Sequence, residues 1–132
     1  MNMSYKRSAD LFSVLANPFR IRLLYAIGRG EVCVCHLEAV LQQRQPFISQ
    51  HLGVLRDQDL LVTRREGRYI FYRVKDVAVF DLIQAASRMQ GISPGQLPEV
   101  AYPEPRAGCP CPSCEEGIGA SGKNRTPVKE VK

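Results

Sequence analysis

Histidine is scarce in this chain: its 132 residues include two, His36 and His51. That scarcity argues against a metal site built from several imidazoles and against most histidine-based catalysis. No nucleophile–base constellation and no glycine loop suited to cradling phosphate is visible either, so the chain does not read as an enzyme. Also missing is any run of about 18 consecutive apolar residues, which excludes a helical membrane span. The opening, MNMSYKRSADLF, turns polar and charged at once. It lacks the apolar run of about 7–15 residues that marks a secretory signal. These absences point to the cytoplasm, where clustered cysteines more often bind metal or sense redox state than form structural disulfides. There is no internal repeat.

What is present is unevenly distributed. The net charge of +5 falls on residues 1–90, with 13 Lys or Arg against 8 Asp or Glu. Residues 91–132 carry 5 of each, seven of the nine prolines and six of the ten glycines. That segment has neither a helical nor a strand period and little apolar surface to offset its ordering entropy. We therefore expect a folded domain at 1–90 and a flexible, cysteine-containing tail at 91–132. A basic folded domain suits a polyanionic partner.

Within the domain, Leu11, Leu15, Ile21, Leu24 and Ile27 are spaced for helices, and Asn17-Pro18 breaks the run. The spacing predicts helices at about 8–16 and 18–29, a short extended piece through Val32 and Val34, and a third helix from His36 to about Gln43. A fourth begins near Pro46 and ends near Gln58, with Ile48, Leu52 and Leu55 on its inner face. LLVTRRE and YIFYRV around Gly67-Arg68 form a hairpin signal. A last helix, about Asp76 to Met89, is apolar on most of its surface and so needs two burial partners. One of them is expected to be a second subunit.

Two short helices followed by a hairpin match a winged helix-turn-helix, mainly α with a β-hairpin wing. If Ile48, Leu52 and Leu55 face inward, then Ser49, Gln50, Gly53 and Arg56 face outward. His51 belongs to the same candidate DNA face, and the wing adds Arg64, Arg65 and Arg68. Arg68 sits at the turn, where a wing tip reaches phosphate or the minor groove. The bland alternative is a solvated basic hairpin, with His51 only packing.

All five cysteines fall in two clusters. Cys33 and Cys35, in EVCVCHLEAV, are two residues apart at a strand-to-helix junction, so both sulfurs can converge on one soft ion. A helix N-terminus favours thiolate over thiol. Cys109, Cys111 and Cys114, in GCPCPSCEE, lie where there is no core to fill. Thiol ligation or thiol redox chemistry is the expected role of both clusters. Closed zinc ligation stays open, since Cys33 and Cys35 can complete a site with the tail trio. His36 reads as structural or solvent-facing.

These residues carry a family resemblance. ANPFRIRLL, CVCHL, ISQHLGVLRDQDLL and REGRYIFYRV, within roughly residues 8–90, resemble the ArsR/SmtB family of metal-sensing winged-helix repressors. The resemblance implies a homodimer that binds double-stranded operator DNA and leaves it when metal binds. It departs from the family pattern at Asp59, where glycine is usual after the recognition helix. CVC resembles the inducer site of the family's arsenite and cadmium/lead sensors. In the arsenite type a third cysteine follows in that helix, but here the position is Glu38. The missing soft ligand must then come from the tail, within a subunit or across the dimer. The family's second site, histidines and carboxylates on the last helix, has no histidine here.

The resulting expectation is a repressor released from DNA by a thiophilic ion, As(III)/Sb(III) first and Cd(II)/Pb(II) close behind. The metal ligands are drawn from Cys33, Cys35, Cys109, Cys111 and Cys114. An ion there is expected to move the third helix and, through a short turn, the recognition helix. The alternatives are a thiol-redox or persulfide-responsive repressor of the same fold, and a metal-trafficking or protein-interaction module.

Overall fold

Asn17 accounts for the break between the first two helices. Its side-chain oxygen accepts the backbone N–H groups of Phe19 and Arg20 at 2.8 and 3.1 Å, capping a helix whose first residue is Pro18. Such a cap is worth about 1 kcal/mol. In the computed structural model, which describes residues 3–104 and Cys111, the element order is α1 Met3–Leu15, α2 Pro18–Ile27, β1 Glu31–Cys33, α3 Val34–Leu41 and α4 Gln45–Asp57. Then come β2 Leu61–Glu66, β3 Tyr69–Val74, α5 Ala78–Met89 and a short 3-10 turn at Pro94–Gln96.

Several boundaries differ from expectation by up to five residues, and two of them have a clear physical reason. α1 starts five residues earlier than the apolar spacing implied. Its first turns are polar and carry no core period, and the Lys6–Asp10 pair at 3.0 Å supports them instead. Val34 does not extend the strand; it opens α3, with Cys33 in extended conformation as the cap. The extended piece is nonetheless a true strand. β1 pairs antiparallel with β3, Glu31 opposite Arg73, Val32 opposite Tyr72 and Cys33 opposite Phe71. The sheet order is β1-β3-β2, so the wing is a three-stranded sheet rather than a lone hairpin.

The core is assembled as the helical spacing requires. Leu23, Leu24 and Ile27 of α2, Leu37 of α3 and Ile48, Leu52 and Leu55 of α4 are fully buried together. Leu61, Val74, Val79, Phe80 and Ile83 close the other side. α4 ends at Asp57, and Asp59 takes the left-handed conformation with φ 68° that glycine adopts at no steric cost. Its N–H donates to Arg56 O at 2.8 Å and its carboxylate meets Lys75 Nζ at 2.9 Å. Among the described residues no helix is long and apolar enough to cross a membrane.

Beyond α5 the chain turns back. Gly91 adopts φ 79°, and the N–H of Ile92 donates to Ser87 O. Leu97 and Val100 then pack against the core. The rest of the expected tail, 105–110 and 112–132, lies outside the described residues.

Candidate functional site

The thiol site forms where β1 hands over to α3. Cys33 ends the strand and is 2% exposed. Cys35 stands in the first turn of α3, half-buried, rather than in an extended strand. The two therefore do not face one side through strand alternation. The tight strand-to-helix transition brings their Cα atoms to 5.4 Å and their sulfurs into disulfide contact.

Cys111, 1% exposed, completes the group, and the three sulfurs lie within 4.8 Å of one another. Two sulfurs bound to one ion at about 2.3 Å each stand at most about 4.6 Å apart, so this spacing suits shared ligation once Cys33 and Cys35 are in the dithiol form. The first turn of α3 carries no acidic residue. The sequence reading placed the third soft ligand in the tail; here a tail cysteine stands beside CVC. Cys109 and Cys114 lie outside the described residues. His36, 4% exposed, is buried in α3 and is not a member of this sulfur group.

The floor of the site is Phe71, buried in one cluster with Cys33 and Cys111, with Cys35 and Tyr69 packed against it. Sequence reasoning did not single out Phe71. Its only signal was alternation in β3, which fixes which face a side chain takes but not what crosses over it.

The second candidate surface is α4 with the wing. Ile48, Leu52 and Leu55 face inward, which leaves Gln50 and Arg56 exposed and Ser49 half-exposed. Ser49 Oγ accepts a hydrogen bond from Gln45 Nε2 at 3.2 Å, and Arg56 pairs with Asp57 at 3.3 Å. Gln45 and Arg44, exposed at the helix start, are further candidates that the inner-face spacing did not indicate.

His51 is tied inside the protein. Its Nδ1 accepts Arg20 Nε at 3.1 Å, and its ring sits 5.1 Å from that of Phe19 and 4.8 Å from that of Phe47. Burial first, and then the charge of Arg20, hold its pKa below the ordinary 6.5. Of the two roles open in the sequence, this geometry supplies the packing one.

On the wing, Gly67 opens the turn with φ 62°, and Arg65 and Arg68 are exposed. Arg68 reaches back over the Tyr69 ring at 5.8 Å. Arg64 is engaged more firmly. It meets Glu31 through two guanidinium nitrogens and Glu66 through the third, and lies 4.7 Å over the Phe71 ring. Its pKa is pushed further up, chiefly by its hydrogen bonds to Glu31.

Part of the chain is similar to known proteins. Residues 17–62 match the model of a family described as bacterial regulatory protein, arsR family. The chain is 40% identical over 77 residues to a transcriptional repressor SmtB homolog of Synechocystis, covering 58% of each protein. It is 33% identical over 82 residues to an arsenical resistance operon repressor of Staphylococcus aureus, covering 62% of this chain and 79% of that one. The crystal structure of NolR from Sinorhizobium fredii superimposes with a TM-score of 0.60 at 31% identity, over 69% of this chain and 91% of that one. The match thus spans less than two thirds of the Synechocystis relative's length.

Proposed function

Because this chain belongs to the arsR family of bacterial regulatory proteins, and so is a DNA-binding transcription regulator rather than an enzyme, we propose that it is a repressor released from its operator by a thiophilic ion. The observation that carries this reading is the convergence of Cys33, Cys35 and Cys111 within 4.8 Å. Three thiolates suit As(III) or Sb(III) first, and Cd(II) or Pb(II) next. Cys109 and Cys114 stand in reserve as fourth ligands or replacements.

In this reading residues 1–90 bind DNA and dimerise, while 91–132 supply the tail ligands. α4 enters the major groove, with Ser49, Gln50 and Arg56 toward the DNA and His51 bracing the helix. Arg65 and Arg68 meet backbone or minor groove from the wing. Dimerisation is supported by uncovered apolar surface on the two terminal helices: Met3, Tyr5 and Phe12 on α1, and Val77 and Met89 at the ends of α5.

The ion acts on two elements at once. Cys35 is carried by α3, which leads through the short turn at residues 42–44 into α4. Cys33 is carried by β1, which is paired to β3 of the wing. Rearranging the reduced sulfurs around an ion thus biases both DNA-reading parts. By linkage, DNA weakens ion binding by the factor by which the ion weakens DNA binding, typically about 1–3 kcal/mol. The test is a DNA-release titration with arsenite, antimonite, cadmium, lead, zinc and peroxide under otherwise identical conditions. Release by none of the ions overturns the reading.

A second reading is favoured by the direct contact of the Cys33 and Cys35 sulfurs. A two-electron oxidant such as peroxide would take two electrons and two protons from the dithiol and leave a disulfide. Release by peroxide alone selects it.

A further inference from the structure

We propose that residues 97–104 form a strap, seated in a notch at Gly28–Gly30, that delivers Cys111 to Cys33 and Cys35 of the same chain. Gly28, Arg29 and Gly30 are then positioning residues for the thiol site. The functional consequence rests on the ion-sensing reading; the strap itself is testable without an ion.

The notch lies between α2 and β1, directly before the strand that ends in Cys33. The backbone N–H of Arg29 donates to Ala101 O at 3.0 Å, and Arg29 Nε donates to Val100 O at 3.0 Å. Gly28 and Gly30 are both buried in spite of their place in a turn. A Cβ on Gly28 would collide with the Ala101 carbonyl oxygen, and one on Gly30 would stand 2.8 Å from Pro103 Cδ. Gly28 also has φ 62°, which alone favours glycine; Gly30 has no such conformational reason. Its lack of a side chain matters here because Pro103 lies on it. Leu97 and Val100 anchor the strap to the core upstream.

Anchoring shortens the leash. From the end of α5 to Cys111 the chain runs about twenty residues, and from the strap's last described residue about seven. Closure probability falls with roughly the three-halves power of length, so a threefold longer leash lowers the local concentration of the third thiol about fivefold. The strap also fixes the ligand in cis, because its seat is contiguous with the strand that carries Cys33.

The experiment uses the full chain and two readouts. The first is the rate of Cys111 alkylation by iodoacetamide, followed by peptide mass spectrometry. The second is arsenite affinity from the thiolate absorbance. Gly30→Val, which displaces Pro103 without left-handed strain, is expected to speed Cys111 alkylation severalfold and weaken arsenite binding by about two- to fivefold. Operator binding should remain at the parent level, which also shows that the variant folds. The Leu97→Ser/Val100→Ser pair, acting from the strap's side, is expected to reach the full fivefold. Unchanged alkylation and affinity in both variants overturn the strap. If the parent binds no arsenite while Gly30→Val still exposes Cys111, the strap stands and ion sensing falls. Co-expression of a Cys33→Ser/Cys35→Ser chain with a chain lacking the three tail cysteines should restore no arsenite site, and full restoration would overturn delivery in cis.

Discussion

Arg64 holds Glu31 through a two-point contact, Nη2 to Oε1 at 2.8 Å and Nε to Oε2 at 3.0 Å, linking the wing strand β2 to β1 across the sheet. The same guanidinium lies over Phe71, which forms the floor beneath Cys33 and Cys111. A wing cation is thus separated from the sulfur group by one aromatic ring.

Glu31→Gln should loosen this hold. The Arg64 side chain is 46% exposed, so solvent screening keeps the stability cost below about 1 kcal/mol. The released charge becomes available to phosphate. Affinity for duplex DNA of any sequence should rise, and the slope of log K against log salt should steepen by about one. Fluorescence anisotropy at several salt concentrations checks both; an unchanged slope means Arg64 does not reach DNA.

Gly53 offers a test with opposite signs in two assays. A Cβ there would meet only Arg56 Nη2, at 3.8 Å, so nothing packed inside the protein requires glycine. Gly53→Ala should stabilise the helix by roughly 0.5–1 kcal/mol. If α4 lies close against DNA, the added methyl should also weaken operator binding. A thermal melt and an operator titration on one sample read both effects; a more stable protein with unchanged DNA affinity would place the Gly53 face away from the duplex.

His51 should make stability depend on pH in a defined direction. Its folded pKa lies below the ordinary 6.5, so between the two values the unfolded chain binds a proton that the folded one does not. Stability from this group is complete above about pH 6.5 and declines as pH falls from there through the lower folded value. Arg20, which donates to Nδ1, is the charged group responsible for part of the shift. Urea melts between about pH 7 and 5 should show the decline, and His51→Gln should flatten it relative to the parent. An equal decline in both proteins assigns the dependence to other groups.

The legible parts of this protein were those where one local period dominates. Ile48, Leu52 and Leu55 are spaced for one helix face, and all three are buried; the β2–β3 hairpin was marked by alternation around Gly67. The less legible parts depend on partners distant in sequence. β1 is three residues long, and its pairing with β3 is set by residues about 40 positions away. The polar start of α1 gave no core period. Val34 looked like strand because it is β-branched and follows Val32, yet the helix begins there. CVC and the tail cysteines indicated soft ligation, but Gly30 and Phe71 entered the site only once the chain was folded. One lies under the strap and the other under the sulfurs, and neither carries ligand chemistry.

In the proposed function the thiols control DNA occupancy. That control is tested most directly by titrating arsenite into the operator complex of the parent and of Cys35→Ser, followed by anisotropy. Both should bind the operator alike before arsenite is added. The parent should then lose roughly 5–150-fold in DNA affinity, corresponding to a coupling of about 1–3 kcal/mol, while Cys35→Ser stays bound. Release of Cys35→Ser at the same arsenite concentration as the parent would contradict it.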